Sequence, residues 1–153
     1  MLEIGITFPI EKLVNAKGPI ALDQSAYTVI YFYPKDDTPG CTIEANEFQR
    51  LKPIYDQRLI RILGVSVDNS ESHAAFCEKF SLAFELATDV NGALGQEFGI
   101  MKGSVHARVT IVLDATAKIV LLYQDVRPMG HAQNILDDIA KRANLAGEAV
   151  NAQ

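Results

Sequence analysis

The stretch YFYPKDDTPGCTIEANEF, residues 31–48, joins an apolar, aromatic segment to a helix-like pattern through a turn with two prolines. A strand followed directly by a helix is the building unit of α/β proteins, so this junction decides the fold class. Cys41, one of only two cysteines, stands where the turn meets the helix. The stretch therefore also raises a chemical question, whether this thiol packs or reacts.

The hydrophobic pattern of the whole chain predicts the order β-α-β-α-α-β-β-α, an α/β fold with a mixed central β-sheet flanked by helices. Four apolar runs rich in β-branched or aromatic residues predict strands at 28–33, 59–67, 108–113 and 118–123. Helical patterns cover 41–55, 70–80, about 90–98, and 131–144. Residues 8–23 predict a hairpin or irregular strand pair. Pro53 predicts that the first helix kinks or ends near residues 50–52.

Length and composition favour one domain over residues 1–153, with a frayed tail from about residue 146. The net charge is -5 and 48% of the residues are hydrophobic. An acidic chain without a run of Lys or Arg is a poor partner for nucleic acid or anionic membranes. The first residues lack the pattern of a signal peptide, and no apolar run is long enough to span a bilayer. We therefore expect a cytoplasmic protein, in which Cys41 and Cys77 are catalytic, metal-binding or inert and do not form a permanent disulfide.

The start of the first helix is a favourable place for a negatively charged sulfur. Thr38 suits the N-cap and Pro39 the first helical position, which puts Cys41 third. A capping box places a Glu there, because its carboxylate accepts an unpaired helical N–H. A thiolate could accept the same N–H groups and would be stabilised by the helix dipole.

A packing role for Cys41 is equally compatible with the spacing. The residue begins a series at helical intervals that would form one apolar face: Cys41, Ala45, Phe48, Leu51 and Tyr55. Cys41 could simply be the first member of this buried stripe. Spacing alone leaves packing and reactivity open.

A resemblance to a known family separates the two interpretations. The pattern P-x-x-x-T-x-x-C, formed by Pro34, Thr38 and Cys41, resembles the active-site segment of the peroxiredoxins, and most closely that of the bacterioferritin-comigratory, or PrxQ, subfamily. The segments ARVTIVLD and RPMGHAQNILDDI also resemble this family, so the likeness spans about residues 28–142. It implies a thioredoxin-like fold and a peroxidase that reduces hydrogen peroxide and organic hydroperoxides. Thioredoxin or a similar dithiol would recycle it, without metal, flavin or haem, and it would be a monomer.

The resemblance also implies roles for individual residues. Cys41 would be the peroxidatic thiolate that attacks the O–O bond. Thr38 would hydrogen-bond the thiolate and the peroxide, and Pro34 would shape the pocket. Arg108 would hold the thiolate charged and polarise the peroxide, a role that suits a fixed guanidinium beside developing negative charge.

The second cysteine departs from the commonest subfamily pattern. Many members place it five residues after the first, where this chain has Asn46. Resemblance to another branch implies that Cys77 is the resolving cysteine, and a half-buried core cysteine is the alternative. We expect that a Cys41–Cys77 disulfide would require unwinding of the first turn after Thr38, part of the helix over 70–80, or both. A one-cysteine cycle resolved by an external thiol, a peroxide sensor or redox-dependent binding module, and a non-redox domain stay open.

The histidines give only weak functional signals. His73 and Cys77 have the i, i+4 spacing of two metal ligands but lack a third. His106 is predicted in a loop and His131 at the start of the last helix. Neither has an evident acid partner in the sequence, so a Cys-His hydrolase has little support.

Three acidic residues near Cys41 complete the set of candidates. Asp36 and Asp37 lie within PKDDTPG and are interpreted as turn formers. Glu44 follows Cys41 by one helical turn. It could orient Arg108 or be a solvated charge.

Overall fold

The computed structural model describes residues 1–145, so the predicted fraying of the tail falls outside the described residues. The strands are β1 Val14–Asn15, β2 Gly18–Pro19, β3 Tyr27–Phe32, β4 Ile60–Ser66, β5 Glu85–Thr88, β6 Met101–Lys102, β7 Val105–His106, β8 Val109–Leu113 and β9 Ile119–Tyr123. The helices are α1 Pro39–Gln57, α2 Ser70–Phe80, α3 Ala93–Glu97 and α4 His131–Leu145, with 3-10 turns at Ile10–Lys12 and Val90–Gly92. No helix among residues 1–145 is long and apolar enough to cross a membrane.

Seven strands form a mixed sheet in the order β2-β1-β5-β4-β3-β8-β9. The neighbours β3, β4 and β5 run parallel, whereas β8 runs antiparallel to β3 and to β9. The predicted mixed sheet is therefore confirmed. The N-terminal hairpin is also confirmed, because β1 pairs antiparallel with β2 at one edge.

The sheet is buried on both faces, and β3 shows this most directly. Val29 and Tyr31 face the cluster that contains buried residues of α1, α2 and α4. Ile30 and Phe32 face the opposite cluster, which the N-terminal segment and α3 cover. Successive side chains of a strand point to opposite faces, so an uninterrupted apolar run is what a strand covered on both sides requires.

The first helix does not end where Pro53 predicted. It continues to Gln57, because the residues on either side of Pro53 are anchored in the core. Leu51 and Tyr55 are buried, and the Tyr55 hydroxyl donates to the carbonyl of Ala132 in α4 at 2.7 Å. Pro53 itself is exposed, so the carbonyl that it leaves unpaired can be hydrated.

Three further elements differ from the sequence prediction. Residues 85–88, where no strand was predicted, form β5 and pair in parallel with β4. The predicted helix over 90–98 is a 3-10 turn followed by a short α3, because Asn91 and Gly92 have the positive φ values 56° and 66°. The short hairpin of β6 and β7 was not predicted. A four-residue strand and two-residue strands are too short for a periodic pattern to identify them.

We predict that Phe48→Ala lowers the free energy of unfolding by about 3–5 kcal/mol, the usual cost of removing a buried ring. Phe48 is fully buried and stacks on Tyr31 with ring centroids 4.5 Å apart. Ile43→Ala is the control on the same helix, because Ile43 is 42% exposed and should change stability by about 0.5 kcal/mol at most. Urea denaturation of both variants measures the difference, and equal losses would contradict this packing.

Candidate active site

Cys41 lies in the first turn of α1, at the third helical position that the sequence predicted. Thr38 is the N-cap with an extended backbone, and its carbonyl accepts the Thr42 N–H at 2.8 Å. Its side chain does not cap the helix. The hydroxyl donates instead to the carbonyl of Lys35 at 2.9 Å. The predicted helix start and the N-cap position of Thr38 are therefore confirmed, and its side chain makes a different hydrogen bond.

Arg108 brings a positive charge to the sulfur of Cys41. Its Nη2 donates to Cys41 Sγ at 3.4 Å, and its Nη1 donates to Glu44 Oε1 at 3.0 Å. Cys41 and Glu44 are each 1% exposed, so both contacts are shielded from water. One guanidinium thus joins two residues that lie one turn apart on α1. Of the two alternatives left open for Glu44, the structure shows the contact with Arg108 and not a solvated charge.

The pairing of β3 with β8 explains how a residue 67 positions away reaches Cys41. Val109, the first residue of β8, lies opposite Phe32, the last residue of β3. Arg108 therefore stands at the end of β3 from which the chain turns toward α1. Pro34 lies half-buried in that turn, directly after Tyr33.

Gly40 provides the space that Arg108 occupies. A Cβ at this position would lie 2.5 Å from Arg108 Nη2 and 3.3 Å from its Cζ. Both distances are shorter than ordinary van der Waals contact. The glycine between Pro39 and Cys41 is thus a steric requirement of the arginine, a role that the sequence alone does not reveal.

Glu44 is electrostatically unusual for a glutamate that is paired with an arginine. Burial raises its pKa, and this outweighs the opposing effect of Arg108, so the pKa of Glu44 is about 7. Its second oxygen, Oε2, has no hydrogen-bond partner among the described residues. The charge next to Arg108 therefore changes close to neutral pH.

Cys77 has a different environment from Cys41. It is half-buried on α2, and its side chain packs against the same hydrophobic cluster that contains Cys41. Burial and the nearby Asp36 raise the pKa of the Cys77 thiol. It lines a groove of about 450 Å³ between α2, β5 and the β1–β2 hairpin. Both cysteines are free thiols.

The three histidines have partners other than Cys41. His131 begins α4 as predicted; its Nε2 lies 2.8 Å from the Thr110 hydroxyl, and burial lowers its pKa to about 4. His106 lies in β7 and not in a loop. Contrary to the sequence interpretation it has an acid partner, Asp89, at 2.8 Å. The side chain that contacts the Cys41 sulfur is Arg108.

Asp36 and His73 make contacts that the sequence interpretation did not include. Asp36, interpreted as a turn former, is a buried carboxylate that accepts hydrogen bonds from Tyr33 and Ser72. His73, weighed as a metal ligand, directs Nδ1 to Asp36 at 2.8 Å. Sequence spacing offers no signal for these contacts, since most of the partners come from separate elements.

Comparisons with known proteins agree with this fold and this site. A family model described as the AhpC/TSA family matches residues 11–122. Peroxiredoxin Bcp of Xanthomonas campestris is 39% identical over 118 residues, which are 72% of this chain and 74% of that protein. A crystal structure of a cysteine mutant of PrxQ from Xylella fastidiosa has a TM-score of 0.84 at 31% identity, and the match covers 94% of this chain and 98% of that one.

The strand, the helix and the buried thiol thus belong to a thioredoxin-like fold in which a cysteine lies beside an arginine. The chain belongs to the AhpC/TSA family and is a peroxiredoxin, similar to the Bcp and PrxQ proteins. Peroxiredoxins are thiol-dependent peroxidases, so this protein is an oxidoreductase that uses a peroxide substrate and a thiol reductant. The resemblance inferred from residues 31–48 is confirmed.

Two further solved structures concern the second cysteine. Both are cysteine-to-serine mutants of peroxiredoxin Q from Xanthomonas campestris, with a TM-score of 0.78 and 34% identity, and the match covers 86% of this chain and 90% of each of those chains. Their mutated positions lie 36 residues apart, which is also the separation of Cys41 and Cys77.

We predict that Gly40→Ala slows the reaction of Cys41 with peroxide by about tenfold to a hundredfold, since a displacement of about 1 Å at a reacting group can cost that much. The new methyl group would move Arg108, whose flexible end can shift without unfolding the protein. Stopped-flow oxidation measures the rate. In an Arg108→Ala background the same substitution should add no further loss, and an equal loss in both backgrounds would contradict the steric explanation.

We also predict a pH-dependent effect of Glu44→Gln on stability. The pKa of Glu44 is about 7 in the folded protein and 4.5 ordinarily, so the folded state favours the neutral acid. The stability that the neutral Glu44 carboxyl contributes is fully present below about pH 4.5 and is lost as the pH rises to about 7. Glutamine mimics the neutral acid, so relative to wild type the variant should gain about 2–3 kcal/mol between pH 5 and pH 8.

Denaturant unfolding at several pH values measures this difference, and comparison with wild type cancels the titration of other groups. Glu47→Gln is the control on the next turn of α1. A stability difference between Glu44→Gln and wild type that stays constant across this range would contradict the assignment.

Proposed function

We propose that Cys41 is the peroxidatic cysteine and Cys77 the resolving cysteine of a two-cysteine peroxidase. The observation that carries the proposal is the contact of Arg108 with the Cys41 sulfur, inside a shielded site that Glu44 completes. A guanidinium stays protonated at all relevant pH values and so provides positive charge where an attacking thiolate is negative.

In the first step, the Cys41 thiolate attacks one oxygen of the peroxide. An S–O bond forms and the O–O bond breaks, so the sulfur becomes a sulfenic acid and the second oxygen leaves as water or an alcohol after it takes a proton. The reaction places negative charge on the leaving oxygen. Arg108 is positioned to stabilise that charge, and a donor fixed in a dry site is far more effective than one in water.

Thr38 and Pro34 are proposed to shape the peroxide-binding side of this site. The Thr38 hydroxyl bonds the Lys35 carbonyl. Its oxygen can still accept a hydrogen bond from a peroxide, and rotation of the O–H would let it donate to the Cys41 sulfur. Pro34, half-buried in the turn that follows β3, would limit the space beside the thiol.

In the second step, the sulfur of Cys77 attacks the sulfenic acid of Cys41 and releases water as the disulfide forms. The raised pKa of Cys77 keeps this residue mostly a neutral thiol, so it is a poor competitor of Cys41 for peroxide. The 36-residue separation shared with the two Xanthomonas campestris mutants supports this pairing over a one-cysteine cycle.

In the third step, an external dithiol reduces the disulfide. Cys77 is half-exposed beside its groove whereas Cys41 is 1% exposed, and thiol–disulfide exchange favours the accessible sulfur. We propose thioredoxin or a similar dithiol protein as reductant, hydrogen peroxide and organic hydroperoxides as substrates, and a monomer as the working unit. The expected cytoplasmic location stays a prediction from composition.

Mass spectrometry of protein treated with one equivalent of peroxide tests the assignment, and a Cys41–Cys77 disulfide is the expected product. Cys41→Ser should lower peroxide consumption by at least about a thousandfold, the scale of losing a nucleophile. Cys77→Ser should oxidise Cys41 at the wild-type rate, yet lose most steady-state turnover with thioredoxin. Unchanged turnover of Cys77→Ser would overturn the resolving role, and reactive Cys41→Ser would overturn the whole assignment.

A further inference from the structure

Asp36 is the centre of a buried hydrogen-bond cluster that also contains Tyr33, Ser72 and His73. Its Oδ1 accepts the Tyr33 hydroxyl at 2.6 Å. Its Oδ2 accepts the Ser72 hydroxyl at 2.8 Å and lies 2.8 Å from His73 Nδ1. The side chains of Asp36 and His73 are 3% and 6% exposed. We call these four residues the Asp36 cluster.

The Asp36 cluster joins the segment before Cys41 to the helix that carries Cys77. Asp36 lies two residues before Thr38, the N-cap of α1. Ser72 and His73 belong to the first turn of α2, and Cys77 follows His73 by one turn. The cluster therefore ties the supports of the two cysteines to each other.

The backbone of Asp36 is fixed as well. Its N–H donates at 2.8 Å to Asp68, whose carboxylate also accepts the Ser66 hydroxyl at 2.8 Å. Ser66 is the last residue of β4, and Asp68 lies in the loop that leads to α2. The turn is thus attached both to the sheet and to the helix.

The hydrogen bonds to Asp36 are charge-assisted, because their acceptor is a carboxylate. Burial raises the pKa of its carboxyl, but the bonds from His73, Tyr33 and Ser72 more than offset this and hold the pKa below its ordinary value. A carboxylate acceptor requires that the proton of His73 is on Nδ1, which leaves Nε2 without a partner among the described residues. Hydrogen bonds to a buried charge are about twice as strong as neutral ones.

The neighbouring Asp37 makes a contrasting contact with the same helix. It pairs with Lys79 at 2.8 Å, but the two side chains are 46% and 58% exposed. An ion pair in water contributes little to stability. The two adjacent aspartates thus contact α2 on either side of Cys77, and only Asp36 does so in a buried site.

We propose that Asp36 is a positioning residue that holds α2 in its helical form, and that release of the Asp36 cluster controls how fast Cys77 reaches oxidised Cys41. The second claim, on how fast Cys77 reaches Cys41, rests on the proposed function. A disulfide needs Cα atoms within roughly 4.4–6.8 Å, and the two thiols lie on separate helices. Local opening of α2 supplies the movement, and the cluster opposes that opening.

The test compares Asp36→Asn with Asp37→Asn, the same change of charge at adjacent positions. Three donors converge on the Asp36 carboxylate, and an asparagine directs an N–H toward at least one of them. Asparagine is well tolerated at Asp37, which has a φ of 58°. The measurements are amide hydrogen exchange of reduced protein, the rate of Cys41 oxidation, and the rate of disulfide formation after oxidation.

Asp36→Asn is expected to raise exchange across residues 70–80 by about tenfold, the scale of losing one charged hydrogen bond. Disulfide formation should accelerate several-fold, and Cys41 oxidation should change less than twofold. Asp37→Asn should change none of the three. A purely structural role would alter exchange but not the ratio of the two chemical rates, so unchanged exchange or an unchanged ratio overturns the proposal.

Ser72→Ala provides a second variant if Asp36→Asn fails to fold. It removes one bond to Oδ2, so the same changes are expected in smaller measure. Failure of the proposed function gives a different pattern. If Cys77 does not resolve Cys41, no Cys41–Cys77 disulfide forms in any variant, while the exchange measurement still supports or overturns the effect of Asp36 on α2.

Discussion

The candidate active site depends on one interaction, the contact of the Arg108 guanidinium with both Cys41 and Glu44. Arg108 places a permanent positive charge 3.4 Å from the sulfur and is held by a carboxylate one turn further along α1. Because Cys41 and Glu44 are almost fully buried, little water competes for the arginine. This contact requires a glycine at position 40, because any side chain there would displace the guanidinium.

The sheet makes that interaction possible. β3 leads into the turn and α1, and the antiparallel partner β8 begins opposite the last residue of β3. The arginine before β8 and the cysteine after the turn therefore meet at one edge of the sheet. The same edge carries Asp36, whose bonds to α2 bring the second cysteine into the same assembly. The two cysteines therefore have different environments: Cys41 lies beside the Arg108 cation, and the pKa of the Cys77 thiol is raised.

Much of the fold could be predicted because its longer elements have clear periodicity. The strands at β3, β4, β8 and β9 and the helices α2 and α4 were found within one or two residues of their bounds. The errors fall where local signals conflict with packing. Pro53 favours the end of a helix, but Leu51 and Tyr55 anchor both sides of it in the core. β5 and the β6–β7 hairpin are too short to show a pattern, and their strands exist because neighbouring strands offer hydrogen bonds.

By itself, the sequence determined the α/β class, the position of Cys41 in the first helical turn, and the family motif of Pro34, Thr38 and Cys41, because each depends on residues close together in the chain. Only the tertiary structure decided which groups surround the thiol. The use of the Thr38 hydroxyl, the steric demand on Gly40 and the pKa of Glu44 follow from contacts or burial. Asp36 changed most, from a turn former to a buried carboxylate, because most of its partners lie more than 30 residues away and meet it only when α2 packs against the turn.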